Sequence, residues 1–216
     1  IIKKKKKNIF ITENKKSYLL SLAQKLKSEI VHHNNFIGGR YSVLSEVGMI
    51  PSYFMGLKVN SFRKNLLEFF KFKQKKSILE NVIKLSHIYK RKNINSIIFL
   101  NYATELNDFL FWCQQLIAES LGKNGKGKLP IISSAPRDHH SLMQLYLDGP
   151  KDKLFYILSS NSNKKMKINS NIFGKNFNYA ENKDLSKVKE AQKNALIQVL
   201  KNKNIPHCEF VINKKD

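Results

Sequence analysis

Cysteine, arginine and long apolar runs are the scarce ingredients of this 216-residue chain, and each shortage narrows what it can be. Two cysteines, Cys113 and Cys208, stand far apart in the sequence. That excludes a disulfide-stapled scaffold and fits a reducing compartment, so a cytoplasmic protein is expected. No apolar stretch approaches the roughly 20 residues that a membrane-spanning helix needs. The opening Ile1-Ile2 runs straight into five lysines and then a mixed segment, which is not the pattern of a secretory signal. Arginine is reduced to Arg40, Arg63, Arg91 and Arg137, so 35 of the 39 basic residues are lysine. Surfaces that read bases or clamp phosphates favour arginine for its two-pronged geometry. A formal net charge of +23 therefore does not by itself make a nucleic-acid-binding protein. The lysines are interleaved with asparagine and isoleucine along the chain, as an AT-rich coding sequence and a solvated surface produce. Their summed field can still draw in an anionic substrate.

Three chemical signatures are also missing. The glycine-rich GKNGKGK at 122–128 lacks the spacing of a phosphate-cradling nucleotide loop and precedes a strand-like run instead of following one. Ser141 has no G-x-S-x-G context, which excludes a hydrolase nucleophile elbow there. No Cys/His spacing suggests zinc, and adjacent histidines such as His139 and His140 diverge on a helix and do not serve one metal together.

What is present is the composition of a folded chain. A 42% hydrophobic and 11% aromatic content can supply a sizeable core. The length suits one domain, or one domain plus part of another. A strand is expected at 8–12 and, from the spacing of Leu19, Leu20, Ala23, Leu26 and Ile30, a helix at 17–30. Helices are expected at 41–50, ending near Pro51, and at 60–75 and 77–89. From residue 96 the text alternates: strands at 96–102, 129–134, 154–159 and 207–212, helices at 104–121, 138–147 and 185–200, and an Asn/Ser/Lys-rich loop at 160–182. The strands SIIFLNY, LPIISS and LFYILS are nearly continuous apolar runs, as expected where both faces of a sheet are covered. Alternating strands and helices of this kind predict an α/β fold: a three-layer α-β-α sandwich around a mainly parallel sheet, with functional groups gathered beyond strand ends.

Three clusters carry candidate chemistry. Gly38-Gly39-Arg40-Tyr41-Ser42 pairs glycines, which let a ligand approach the backbone, with an arginine able to hold a developing oxyanion. A glycine turn followed by a surface arginine is the plainer reading. In WCQQLIAES, Gln115 and Glu119 lie one helical turn apart on one face. A glutamate facing a partly desolvated cleft serves as a base near neutral pH, whereas most helical glutamates are simply solvated. In DHHS, His139 and His140 can move protons near pH 7 or make helix-start hydrogen bonds.

Together and in this order the segments 37–48 (IGGRYSVLSEVG), 114–130 (QQLIAESLGKNGKGKLP) and 138–150 (DHHSLMQLYLDGP) resemble the glucose-6-phosphate isomerase family, bacterial members above all. The resemblance is strong from about Asn35 to Lys153 and weaker in both flanks. It implies sugar-isomerase (SIS-type) domains: residues 1–35 as the tail of a first sugar-phosphate domain and linker, and 36–216 as a second domain without its C-terminal part. It implies reversible aldose-ketose interconversion of glucose 6-phosphate and fructose 6-phosphate, in glycolysis and gluconeogenesis, through a cis-enediol(ate) and with no metal or organic cofactor. Carried over by position, Glu119 is the base and His140 the ring-opening acid/base. Arg40 stabilises the charged intermediate, while Gln115, Gly38 and Gly39 contact it. His139 stands where the family has glutamine, and Glu46 where it prefers a small or apolar residue.

The family's phosphate-binding loop and C-terminal glutamine and lysine lie outside the matching text, so the isolated polypeptide is expected to show little or no activity. The implied partners are a sugar phosphate and a second copy of the chain, with no nucleic acid and no membrane. One geometric point is independent of the family. A helix returning after its strand carries Glu119 back toward the strand starts, while His140 lies beyond a strand end, so the two are expected to meet only across a dimer interface. The rival reading, a non-catalytic sugar-phosphate-binding module with a regulatory role, has no use for a proton-transfer base.

Overall fold

The structure, a computed structural model, describes residues 8–64, 66–91, 93–161, 166–169 and 181–213. It divides into two compact units, Ile1–Lys84 and Leu85–Asp216.

In the first unit, β1 (Ile9–Glu13) pairs in parallel with β2 (Glu29–His33), in register from Ile9 opposite Glu29 to Glu13 opposite His33. Between them runs α1 (Tyr18–Lys25), capped by the Ser17 hydroxyl, which accepts from the Leu20 amide at 3.2 Å. The helix expected over 17–30 is therefore two elements. Lys27 adopts a left-handed backbone, φ 50°, and its amide donates to the Gln24 carbonyl while that of Ser28 donates to the Ala23 carbonyl. That closes the helix as a Schellman turn and frees Ile30 and Val31 for a strand, where β-branched side chains pack well. Downstream, a six-residue 3-10 helix (Gly39–Leu44) and α2 (Glu46–Phe54) replace the single helix expected at 41–50. Ser45 breaks them apart, with extended backbone and a hydroxyl that accepts from the Val47 amide. Pro51 lies inside α2 instead of ending it. Then come α3 (Val59–Arg63), a 3-10 turn (Leu66–Phe70) and α4 (Phe72–Tyr89), whose last turn already belongs to the second unit, in place of the two helices expected there.

The second unit is built on a four-stranded, wholly parallel sheet. Its strands are β3 (Ser96–Asn101), β4 (Leu129–Ser134), β5 (Lys153–Asn161) and β6 (His207–Asn213), in the order β4-β3-β5-β6. β3 is central, and all six of its residues are buried. Period-two alternation sends Ile98, Leu100 and Tyr102 to one face, where they pack with Phe155, Ile157 and the Leu196, Ile197 and Leu200 of α8 (Leu185–Asn202). Ile97 and Phe99 go to the other, against Leu110, Cys113 and Ile117 of α5 (Asn107–Leu121). Helices on both faces make the expected three-layer sandwich, and they are why the strand text is apolar without interruption. The helix expected over 138–147 is two short ones, α6 (Arg137–Ser141) and α7 (Met143–Asp148), separated at Leu142. Most of the loop expected at 160–182 lies outside the described residues; within them, Lys167 makes an isolated antiparallel bridge to Asp184. Among the described residues no helix is long and apolar enough to cross a membrane.

Candidate active site

The glycine-arginine segment follows β2. Gly38 is extended (φ −64°, ψ 150°) and starts the 3-10 helix, whose first bond runs from the Tyr41 amide to the Gly38 carbonyl at 2.9 Å. The buried Ser42 hydroxyl donates to the Gly39 carbonyl at 2.6 Å. The Arg40 guanidinium lies over the Tyr41 ring, 5.1 Å from its centroid. Among the described residues, packing requires neither glycine: a Cβ on Gly39 meets nothing within 4 Å, and one on Gly38 meets only Tyr41 Cδ2 at 3.8 Å. Gly48 makes the contrast, since its Cβ would fall 1.9 Å from the Val43 carbonyl oxygen.

Gln115 and Glu119 occupy the exposed face of α5, opposite the Leu110–Cys113–Ile117 side that packs on the sheet. The Gln115 amide donates to Glu119 Oε1 at 2.9 Å, as the one-turn spacing dictates. Glu119 is exposed in the single chain. The partly desolvated cleft expected around it is therefore not built by the described residues of its own unit. Gln114, at the middle of α5, donates to the carbonyl of Pro130, the second residue of β4, at 2.8 Å, so the C-terminal half of the helix, with Glu119, lies on the side of the strand starts.

His140 is exposed on α6, beyond the other end of β4. The six residues of β4 at about 3.3 Å each put roughly 17 Å between the two edges. Within one chain the structure thus brings Gln115 and Glu119 together and keeps His140 at the opposite edge of the sheet. What holds the His140 turn was not legible in the sequence. Asp138, buried at the start of α6, accepts from the Ser133 hydroxyl at 3.0 Å, the Ser134 amide at 2.8 Å and Arg137 Nε at 2.9 Å. Burial alone raises the pKa of its carboxyl, but Arg137, Ser133 and Ser134 together outweigh that and hold it below the ordinary value. The Tyr102 phenol and His139 Nε2 share a hydrogen bond at 2.6 Å, the two rings meeting edge to face. Burial pushes the Tyr102 phenol far above its ordinary range and lowers His139, against the raising effect of the nearby Asp138 carboxylate, so both groups are held neutral near pH 7. A strand-end Ser-Ser followed by an acidic residue at the start of a helix is the one signal that could have flagged Asp138.

A cavity of about 710 Å³ opens elsewhere, between the ends of β3 and β5, lined by Tyr102, Thr104, Ser159, Glu190 and Lys193 among others. It lies where the crossovers to β4 and β6 diverge, and it includes none of the expected site residues. Among the described residues no group of three or more metal-ligating side chains converges.

No family model matches the chain. It is, however, 30% identical over 215 residues to a glucose-6-phosphate isomerase of Methanocaldococcus jannaschii, an alignment covering 97% of this chain and 52% of that protein. It is 34% identical over 220 residues to the glucose-6-phosphate isomerase of Campylobacter jejuni, covering 98% of this chain and 53% of that one. The chain spans about half the length of these curated relatives. A crystal structure of a hypothetical protein from Thermus thermophilus superposes with a TM-score of 0.78 at 22% identity, over 94% of this chain and 51% of the other. That likeness supports the fold.

Proposed function

The chain belongs to the glucose-6-phosphate isomerase family, an isomerase family, and from that premise we propose that it supplies the base, the ring-opening histidine and the charge-holding arginine of an aldose-ketose isomerase acting on glucose 6-phosphate and fructose 6-phosphate. Homology over 97% of the chain is the observation that carries this reading. Residues 1–35 then represent the end of a first sugar-phosphate domain and 36–216 most of the second.

The chemistry divides among named side chains. His140 passes a proton to the ring oxygen as the pyranose opens. The Glu119 carboxylate takes the proton from C2 of the aldose and returns it to C1, while the O2 hydroxyl proton passes to O1, leaving a ketose. Gln115, bonded to Glu119 at 2.9 Å, keeps the carboxylate oriented for the transfer. Negative charge gathers on the enediolate oxygen, and Arg40 stabilises it. Gly38 and Gly39 admit the sugar to the backbone. Their open Cβ directions support this, because no packing contact among the described residues requires glycine there. Gly39→Ala is accordingly expected to leave the melting temperature unchanged while lowering kcat/KM roughly 10²-fold, the cost of about 1 Å of misplacement. Equal activity in a coupled assay would remove Gly39 from the site.

The opposite placement of Glu119 and His140 in one chain supports a homodimer whose sites draw the two residues from different subunits. The complete gene product, co-expressed as Glu119→Gln and His140→Gln variants, tests this. Each variant alone is expected to be inactive. The mixture is expected to recover about a quarter of wild-type activity, since half the dimers are mixed and half of their sites intact. A mixture as inactive as its components would mean that both residues serve from one subunit. The proposed partners are thus a sugar phosphate and a second copy, not nucleic acid.

A further inference from the structure

We propose that His33 and Glu46 form a brace that positions the Gly38-Gly39-Arg40 segment, with the His33 imidazolium held between the Glu46 carboxylate and the Ile37 carbonyl. The proposal rests on the reading above that Arg40 meets the substrate, and it adds two positioning residues that act through that segment.

His33 closes β2 and is only 8% exposed. Its Nδ1 lies 3.1 Å from Glu46 Oε2 and its Nε2 3.0 Å from the Ile37 carbonyl oxygen. A carboxylate and a carbonyl can only accept. Both ring nitrogens therefore have to carry protons for both bonds to exist, and only the imidazolium satisfies that. A neutral ring would turn one lone pair toward an oxygen lone pair. Ile37 is the residue immediately before Gly38, and Glu46 opens α2, so the brace spans the segment from its entrance to its exit. Inside that span, Ser42 donates to the Gly39 carbonyl at 2.6 Å and the Ser45 hydroxyl to the Ser42 carbonyl at 2.8 Å. Arg40 is thus carried on a backbone tied ahead of it, beside it and behind it.

The charged groups around His33 agree with a cation. Glu46 faces it from α2, and Glu13, its register partner, from β1. The bond to Glu46 is the largest influence and the bond to Ile37 the next; together they raise the His33 pKa above its ordinary value, against the opposing effect of burial. A raised native pKa means that the brace is complete below the unfolded value of about 6.5 and is lost as pH climbs through the native one. The brace also accounts for Glu46, an acid where the family prefers a small or apolar residue.

The test uses ¹⁵N-histidine NMR and amide hydrogen exchange on the intact chain from pH 5.5 to 9, for wild type and Glu46→Gln. In the wild type, both His33 nitrogens are expected to be protonated at pH 6. Opening of the Gly39–Ser42 amides, corrected for intrinsic exchange, is expected to rise with His33 deprotonation, about tenfold per unit by which the native pKa exceeds that of the open form. In Glu46→Gln both transitions move together to lower pH. A singly protonated His33 at pH 6, or amides that ignore its titration, overturns the brace, and the wild-type arm decides this even if the variant does not fold. In the complete protein, the alkaline limb of kcat is expected to follow the same shift in Glu46→Gln, whereas a general loss of folded enzyme would scale the profile without moving it. Intact NMR behaviour with an unmoved kinetic limb would overturn the role given to Arg40, not the brace.

Discussion

Glu119→Gln in the complete protein is expected to cost between about 10² and 10⁴ in kcat for glucose 6-phosphate isomerisation, the range that a positioned base contributes. KM and the melting temperature are expected to stay close to wild type. The amide is isosteric with the carboxylate but takes no proton, so what is lost is an interaction of the transition state and not of substrate binding. The fold has little reason to respond. Glu119 is exposed on α5, and exposed substitutions of this kind fall within about 0.5 kcal/mol. The introduced amide can still pair with Gln115 across one turn, so the helix keeps its side-chain bond. A coupled dehydrogenase assay reads the rate directly. Turnover at the wild-type level would take Glu119 out of the mechanism and leave the rival reading, a binding module, in possession.

Asp138→Ala is expected to have the largest effect on stability, about 3 kcal/mol by urea unfolding. It strands the fully buried Ser133 hydroxyl and the Ser134 amide, and it removes the ion-pair partner of the largely exposed Arg137. Each hydrogen bond to a charged group contributes about 1.5–3 kcal/mol and the losses overlap, so the expected total lies below their sum. The same change should loosen α6 and with it His140, lowering kcat more than the loss of folded protein explains. The carboxyl pKa is depressed in the native state, so its contribution is complete above the unfolded value of about 3.9 and fades as pH falls through the native one. The gap between wild type and Asp138→Ala should therefore narrow in acid. A gap independent of pH between neutrality and pH 3 would show that the charge on Asp138 contributes nothing.

Much of the second unit was legible as text. SIIFLNY, LPIISS and LFYILS are apolar at nearly every position because α5 and α8 cover opposite faces, and burial on both faces removes the polar half of the alternation. Gln115 and Glu119 were legible as a pair because four-residue spacing on a helix is a local rule. The failures were of another kind. Residues 17–30 keep helical spacing to the end, yet Glu29–His33 pairs with β1. Strand pairing joins residues about 20 apart, and periodicity carries no trace of it. At 138–147 the apolar spacing runs through Leu142, yet there the backbone leaves the helical region (φ −123°), and apolar spacing carries no mark of such a break.

Local rules therefore determined the class of the fold, the identity of most of its strands and helices, and the residue types able to carry proton transfer. Only the tertiary structure decided which histidine holds which backbone. His33 reaches Glu46 and Ile37, and His139 reaches Tyr102, across separations that sequence spacing does not encode. The reason is physical: helix and strand periods follow from bonds a few residues long, whereas side-chain partners are chosen when burial brings distant segments together and leaving a polar atom enclosed without a partner is costly.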